Sequence, residues 1–488
     1  MDPRTPVLVG IGVATQREED PARALEPLDL MLAAVRNAGA DALPAPEALL
    51  SGVGRIGVPK GRWRYRNPGG EIGRAIGADR AVSLLASVGV LQQTLIGDAC
   101  RAITEGETNT ALVVGGDAGY RILRSNIKGV AAEDRQQDDV PHVSLSPKDE
   151  LCHPAELLAG IKMPVGLYAI MESAYRAQNG WSIDSHRDRL AQMYSRFAEI
   201  AADNPSAWNR KGVDAGTIRN ASDRNPMQAF PYTKLHCSTW NVDQAGALLF
   251  CSVQRADELG IALDKRIYPR ASTESNHMAQ VSTRPNIASC PGAGIAGHAA
   301  LDAAELSISD MDLVDLYTCF PVAVETYAAE LGLPLTRDLT VTGSMAFAGG
   351  PYNNYVLQAT CRMGQLLREG RGRHGLVSSV SGVLTKQGFG LWSREPGRDG
   401  FVLRDVSNDV ARAMRAKPVV ELASGSGAIA GYTVLYERGK PPRGVAVVDV
   451  DDARAVVQTE DPALVARMES IELCGTSVRL VDRHSFTM

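Results

Sequence analysis

Eight cysteines are the side chains of this 488-residue sequence best suited to nucleophilic or redox chemistry. They are scattered, at Cys100, Cys152, Cys237, Cys251, Cys290, Cys319, Cys361 and Cys474, and no Cys-x-x-Cys pair nucleates a zinc site or redox loop. Cys152-His153 and His236-Cys237 are adjacent pairs, which is not a metal-ligand spacing, so no metal is expected. Gly292-Ala293-Gly294-Ile295-Ala296-Gly297 satisfies the G-x-G-x-x-G pattern, with Asp315 near the spacing of a ribose-binding acid. That pattern marks a dinucleotide site only after a clear strand, and Arg284 to Pro291 does not read as one. No nicotinamide cofactor is therefore expected. Arg62-Trp63-Arg64-Tyr65-Arg66 mixes base and aromatic as a nucleic-acid patch would. In a chain of net charge -5, one such run reads as a solvated edge, and no nucleic-acid partner is expected.

A composition of 44% apolar and 22% charged residues is that of an ordinary folded protein, long enough for more than one core. The run Val7 to Val13 is too brief for a signal segment, and no apolar run approaches the roughly 18 residues that cross a bilayer. With unpaired thiols as well, the chain is expected to be cytoplasmic, without a membrane partner.

The patterning predicts a strand over Val7 to Val13 and a helix over Leu25 to Ala38, then a strand over Val53 to Val58. Leu91, Leu95, Ile96, Ala99, Ala102 and Ile103 form one helical face that ends at Gly106, followed by a strand from Thr110 to Val114 closed by Gly115-Gly116. Residues 120–243 turn polar, helical and proline-punctuated, which reads as an insertion. A second β/α block follows. Before it, strand signals resume at Ala247 to Val253; the block itself has a glycine-rich turn into a helix near Ala299 to Leu306, a strand Leu313 to Tyr317, a helix Pro321 to Leu331 and a strand Gly375 to Ser381. Beyond Gly397, Val419 to Leu422, the alternation Tyr432, Val434, Tyr436, then Val445 to Val450 and Val478 to Val481 predict a small all-β domain.

Ala102 to Glu107 followed by Ala111 to Gly116 resembles the helix-strand passage of the thiolase superfamily, whose nucleophile opens that helix. Asp315-Leu316-Tyr317-Thr318-Cys319-Phe320, Gly349-Gly350-Pro351 and Ser379-Val380-Ser381-Gly382 resemble, in the same order, its Asn-Glu-Ala-Phe or His-Asp-Cys-Phe, Gly-His-Pro and Cys-x-Gly blocks. Pro231 to Leu235, Val242 to Ala247, Phe347 to Tyr355 and Leu384 to Lys386 are similar to a bacterial subgroup often named acetyl-CoA acetyltransferases, with a C-terminal OB-type domain. The resemblance implies an α/β thiolase fold, with duplicated βαβαβαββ halves in an α/β/α/β/α arrangement. The halves would be 1–263, with a loop domain inserted at 120–243, and 264–396, followed by an OB-type β domain at 413–488. Coenzyme A or an acyl-CoA is the implied ligand, a protein partner could use the last domain, and Arg62 to Arg66 could meet a coenzyme A phosphate.

Thiolase chemistry needs a thiolate at a helix N-terminus, an activating histidine, a second cysteine and an oxyanion donor. By the resemblance these places fall on Gly89, Gly350, Ser379 and Tyr317. Neither Gly89 nor its neighbours Val88 and Val90 can attack a thioester, and a serine hydroxyl is too weakly acidic to replace the second thiol. Cys319 is the nearest other thiol, but related sterol-carrier-type thiolases place a non-nucleophilic cysteine there. Cys100 reads as a core residue. The pocket is expected to include Val90, Gln92, Cys319, Phe320, Gly349, Asn353, Asn354 and Lys386. The expectation is an acyl-CoA-binding protein without cysteine-dependent thiolase activity. One alternative is a non-catalytic partner or scaffold of an acyl-CoA (lipid or sterol) complex, and another is an acyltransferase or hydrolase using Tyr317 or Lys386.

Overall fold

The computed structural model describes residues 1–488. The run around Val7 becomes β1 (Pro6–Gln16), and β2 (Arg55–Pro59), β3 (Val82–Ala86), β4 (Thr110–Ala118) and β5 (Val143–Leu145) follow. A short hairpin, β6 (Met227–Ala229) and β7 (Tyr232–Thr233), precedes β8 (Asp243–Ser252). The first sheet has the order β1-β8-β4-β2-β3-β5. Its strands are buried on both sides, and their alternation shows it. Val7, Val9, Leu112 and Val114 pack with the helix Pro27–Ala42, whereas Leu8, Ala111 and Val113 face the opposite core.

The second sheet is built from β9 (Tyr268–Ser275), β10 (Leu313–Asp315), β11 (His374–Ser381), β12 (Lys386–Ser393) and β13 (Val402–Asp405), in the order β10-β11-β12-β9-β13. Here the duplication appears in the pairing signs. β1 to β8 and β8 to β4 are antiparallel and β4 to β2 is parallel, while β9 to β12 and β12 to β11 are antiparallel and β11 to β10 is parallel. The helix Gln92–Thr104 enters β4 as the helix Tyr355–Arg368 enters β11, and both lie between the sheets, touching strands of each. Pro27–Ala42 covers the outer side of the first sheet, and Pro291–Ala303 with Pro321–Leu331 that of the second. The layers are thus α/β/α/β/α.

The last strands are β14 (Gly425–Leu435), β15 (Arg443–Val450), β16 (Ala453–Thr459), β17 (Ser477–Leu480) and β18 (Phe486–Thr487). They form a third sheet in the order β16-β15-β14-β17-β18, and a bridge between Gln458 and Ser485 joins its two ends. β6 of the inserted segment also pairs with β14, at Ala229 and Leu435.

Several expectations change. β4 runs through Gly115-Gly116 to Ala118, because its pairing with β8 continues to Asp243. The inserted segment is not purely helical. Beside the helices Pro164–Gln178 and Ile183–Asp203, it supplies β5 to the first sheet and β6 to the third. The glycine-rich motif is not a turn, since all three glycines lie inside the helix Pro291–Ala303. Val419 to Leu422 makes a single bridge, Val419 to Arg454, and the all-β region contains the helix Pro462–Ser470. The helix Tyr355–Arg368, which the sequence reading did not mark, buries its apolar residues in the core between the two sheets.

Candidate active site

Parallel strands place their following loops at one edge of a sheet, and β3 delivers residues 87–91 to the N-terminus of the helix Gln92–Thr104. Backbone N–H groups gather there, the location at which a thiol would be acidified. Gly89 holds that turn with φ of 100°, and a β-carbon on it would lie 2.7 Å from Cγ of Pro147. Pro147 follows β5, and the β3–β5 pairing carries it there, together with the Ser87 N–H bond to the Leu145 carbonyl at 2.8 Å. The turn therefore excludes a side chain twice, by its backbone angle and by its roof.

Lys386, 3% exposed, opens β12 and donates from Nζ to the Gly89 carbonyl at 3.0 Å. Burial lowers its pKa, partly offset by the charges of Asp149 and Glu274. Gln92 accepts from the Val356 N–H at 2.8 Å, which ties the starts of the two central helices together. Val90, between them, is half-buried.

Tyr317 follows β10. Its N–H donates to Oγ of Ser378 at 2.8 Å, and its ring meets Tyr355 edge-on at 5.6 Å. Burial raises the phenol's pKa, with the Cys319 charge in the same sense, against a hydrogen bond with Gln92. Asp315 just before it is a buried anchor rather than a ribose ligand. Its carboxylate accepts from the Val341 N–H and from Tyr355, each at 2.9 Å, and so fixes the 340–345 turn beside the Tyr317 segment.

That turn leads into a π-helical stretch, Ser344–Ala348, which ends at Gly349 with φ of 102°. Gly350 donates to the Thr239 carbonyl at 2.9 Å. A β-carbon there would meet Cβ of Met345 at 3.3 Å and Cβ of Ser238 at 3.4 Å, a tight fit that asks the Met345 side chain to give by a few tenths of an ångström. Ser238 in turn donates to the Cys319 carbonyl at 3.0 Å. Phe320 stacks against Tyr168 and Tyr232.

The structure thus gathers Gly89, Gln92, Tyr317 and Lys386 on one side, and Cys319 with Gly350 through Ser238 on the other. Three more of the expected residues meet other segments. Asn353 donates to the Lys60 carbonyl at 3.1 Å, and Asn354 lies buried against Gly115 of β4 with its amide unpaired. Ser379 sits within β11 opposite Gly388, facing Gln93, with its hydroxyl unpaired. Pro147, Ser238 and Thr239 come from the inserted segment, and no spacing in the sequence pointed to them.

No cysteine compensates for Gly89. Burial raises the pKa of every one of the eight thiols, that of Cys319 up to about 12. None is poised as a thiolate near neutral pH.

No family model matches the chain. An acetyl-CoA acetyltransferase of Methanocaldococcus jannaschii is 26% identical over 185 residues, which cover 36% of this chain. The chain spans 42% of that curated relative's length. The crystal structure of a monomeric SCP2-thiolase like protein type 1 from Mycobacterium smegmatis superposes with a TM-score of 0.82 at 25% identity, covering 98% of this chain and 97% of that one. Human mitochondrial 3-ketoacyl-CoA thiolase in complex with CoA gives a TM-score of 0.53 at 15% identity, covering 80% and 98%. The duplicated sheets and the likeness along nearly the whole chain place the protein in the thiolase superfamily. No helix is long and apolar enough to cross a membrane.

Proposed function

We propose that this protein binds coenzyme A or an acyl-CoA and does not carry out cysteine-dependent thiolase chemistry. The observation that carries this reading is Gly89. It stands at the helix N-terminus where the superfamily's nucleophile belongs, in a left-handed backbone and beneath Pro147. Gly350 and Ser379 remove the imidazole and the second thiol as well. Each missing acid–base or oxyanion group lowers turnover on the order of 100-fold to 10,000-fold, so thiolysis of acetoacetyl-CoA is expected to stay at background. A ligand is favoured by the human relative, whose structure contains CoA. Equilibrium titration with CoA, acetyl-CoA and a long-chain acyl-CoA tests the reading. Saturable binding of one of them is expected, and no binding by any at millimolar concentration overturns it.

Lys386 favours a second reading, acyl transfer or hydrolysis without cysteine. It is a buried amine of lowered pKa bonded to the carbonyl of the nucleophile position. A buried lysine of lowered pKa gives up its proton more readily than an exposed one. Under this reading acyl-CoA turnover falls about 100-fold in Lys386→Met, and the rise of turnover with pH that accompanies deprotonation of the amine is lost. Unchanged turnover removes Lys386 from the chemistry. The last 75 or so residues, read from the resemblance as an OB-type module at 413–488, and the boundaries 1–263 and 264–396, belong to this proposal too.

A further inference from the structure

Away from the Gly89 region, three helices bring Glu172, His186 and Glu325 together. Glu172 lies on Pro164–Gln178, His186 on Ile183–Asp203 and Glu325 on Pro321–Leu331. All three side chains are at most 1% exposed, and one ligand-type atom from each lies within 4.8 Å of the others. Nε2 of His186 meets Oε1 of Glu172 at 2.6 Å, and Tyr232 donates its hydroxyl to the other oxygen of Glu172 at 2.5 Å. Oε2 of Glu325 has no hydrogen-bond partner, and neither has Nδ1 of His186. One ring further, beyond Tyr232, the buried His236 also leaves Nε2 unpaired.

Burial and the neighbouring Glu172 hold the Glu325 carboxyl well above the usual carboxylate range, so a cation bound here would take the place of a proton. A buried polar atom without a hydrogen-bond partner is unfavourable, and Oε2 of Glu325 is such an atom. A divalent cation neutralises two carboxylates with a neutral imidazole and needs no further charged group. Oxygen and imidazole donors on separate rigid helices are a set that first-row divalent ions accept.

We propose that Glu172, His186 and Glu325 form a buried site for a divalent first-row cation. Its consequence is structural: the ion clips both long helices of the inserted segment to the second half of the core. The proposal departs from the sequence expectation of no metal, which rested on spacing. Residues 14 and 139 positions apart carry no spacing signal, and only the packing of the helices unites them.

The test uses the full chain, dialysed against a chelator and titrated with Zn²⁺ and with Mn²⁺ by calorimetry and thermal melting. One ion bound per chain is expected, with a melting temperature that rises with ion concentration. Glu325→Gln should weaken that binding by at least about 100-fold while leaving the circular dichroism of the metal-free chain unchanged. Failure of both ions to bind the wild-type chain overturns the proposal without recourse to any variant. So does a Glu325→Gln chain that binds as tightly as wild type, since the ion would then sit elsewhere. If Glu325→Gln does not fold, His186→Gln provides the same comparison.

Discussion

At Gly89 the absence of a side chain is a structural requirement, set by its left-handed backbone and by Pro147 above it. A non-glycine residue in the left-handed region costs about 1–3 kcal/mol, before any contact with Pro147. Gly89→Cys is therefore expected to lower stability by at least that much in urea denaturation and to leave acetoacetyl-CoA thiolysis at background. Appearance of thiolase turnover in Gly89→Cys would show that the missing sulfur alone silences the site.

A second residue ties the sheet to pH. Asp243 opens β8, accepts from the N–H groups of Tyr120 at 2.8 Å and Arg121 at 3.0 Å, and is wholly buried. Burial lifts its pKa to about 6, against those bonds and that of Gln16, and with Asp117 adding to the rise. The folded state thus holds a proton that the unfolded chain, titrating at about 3.9, has already lost. The stabilisation is complete below pH ~4, declines as pH rises, and is gone above pH ~6, a swing of about 3 kcal/mol. Asp243→Asn keeps the amide-accepting oxygen and cannot ionise. The gap in stability between variant and wild type should grow by that amount between pH 4 and pH 7, as read from urea midpoints.

At the scale of elements, glycines serve close approach between helices. A β-carbon at Gly297 would lie 2.4 Å from Cδ2 of Leu331 and 3.5 Å from Phe389, where the helix Pro291–Ala303 presses on its neighbours. Overpacking a core typically costs 1–3 kcal/mol, so Gly297→Ala should shift the urea midpoint downward by about that amount. A dinucleotide-loop role would instead leave stability nearly untouched. The inserted segment works in the same way as a packing element. β5 pairs parallel with β3, and the strand's next residues deliver Pro147 to the turn at Gly89. A segment that reads as an appended loop thereby closes the place where a nucleophile would stand.

At the scale of the whole molecule, the C-terminal sheet is welded to the core. Arg176, 1% exposed at its side chain, binds Glu472 at 2.7 Å and the Tyr432 hydroxyl at 2.7 Å. Arg454 binds Asp449 at 2.8 Å and also reaches the Arg284 and Pro285 carbonyls. Ile183 and Phe230 of the inserted segment sit in the core of the C-terminal sheet. A chain ending at residue 412 would expose that surface and leave β6 paired with β7 alone. It is expected to be recovered mainly as aggregate, and any soluble fraction should bind a hydrophobic dye more strongly than the full chain. A fully soluble, cooperatively melting truncation would mean that the third sheet is an independent module.

What the sequence by itself determined is what local patterning encodes. Val7 to Val13, the helix from Pro321 to Leu331 and the helical face ending at Gly106 are read from periodicity and caps, because each depends on neighbours within a few residues. The thiolase-type core was legible for the same reason, as blocks in a fixed order. Tertiary structure alone decided the rest. It set Asn354 against Gly115 and Ser379 opposite Gly388, laid Pro147 over Gly89, and assembled Glu172, His186 and Glu325 from three helices. Those outcomes depend on which faces meet across long stretches of chain, and contact between distant residues leaves no period for a sequence to display.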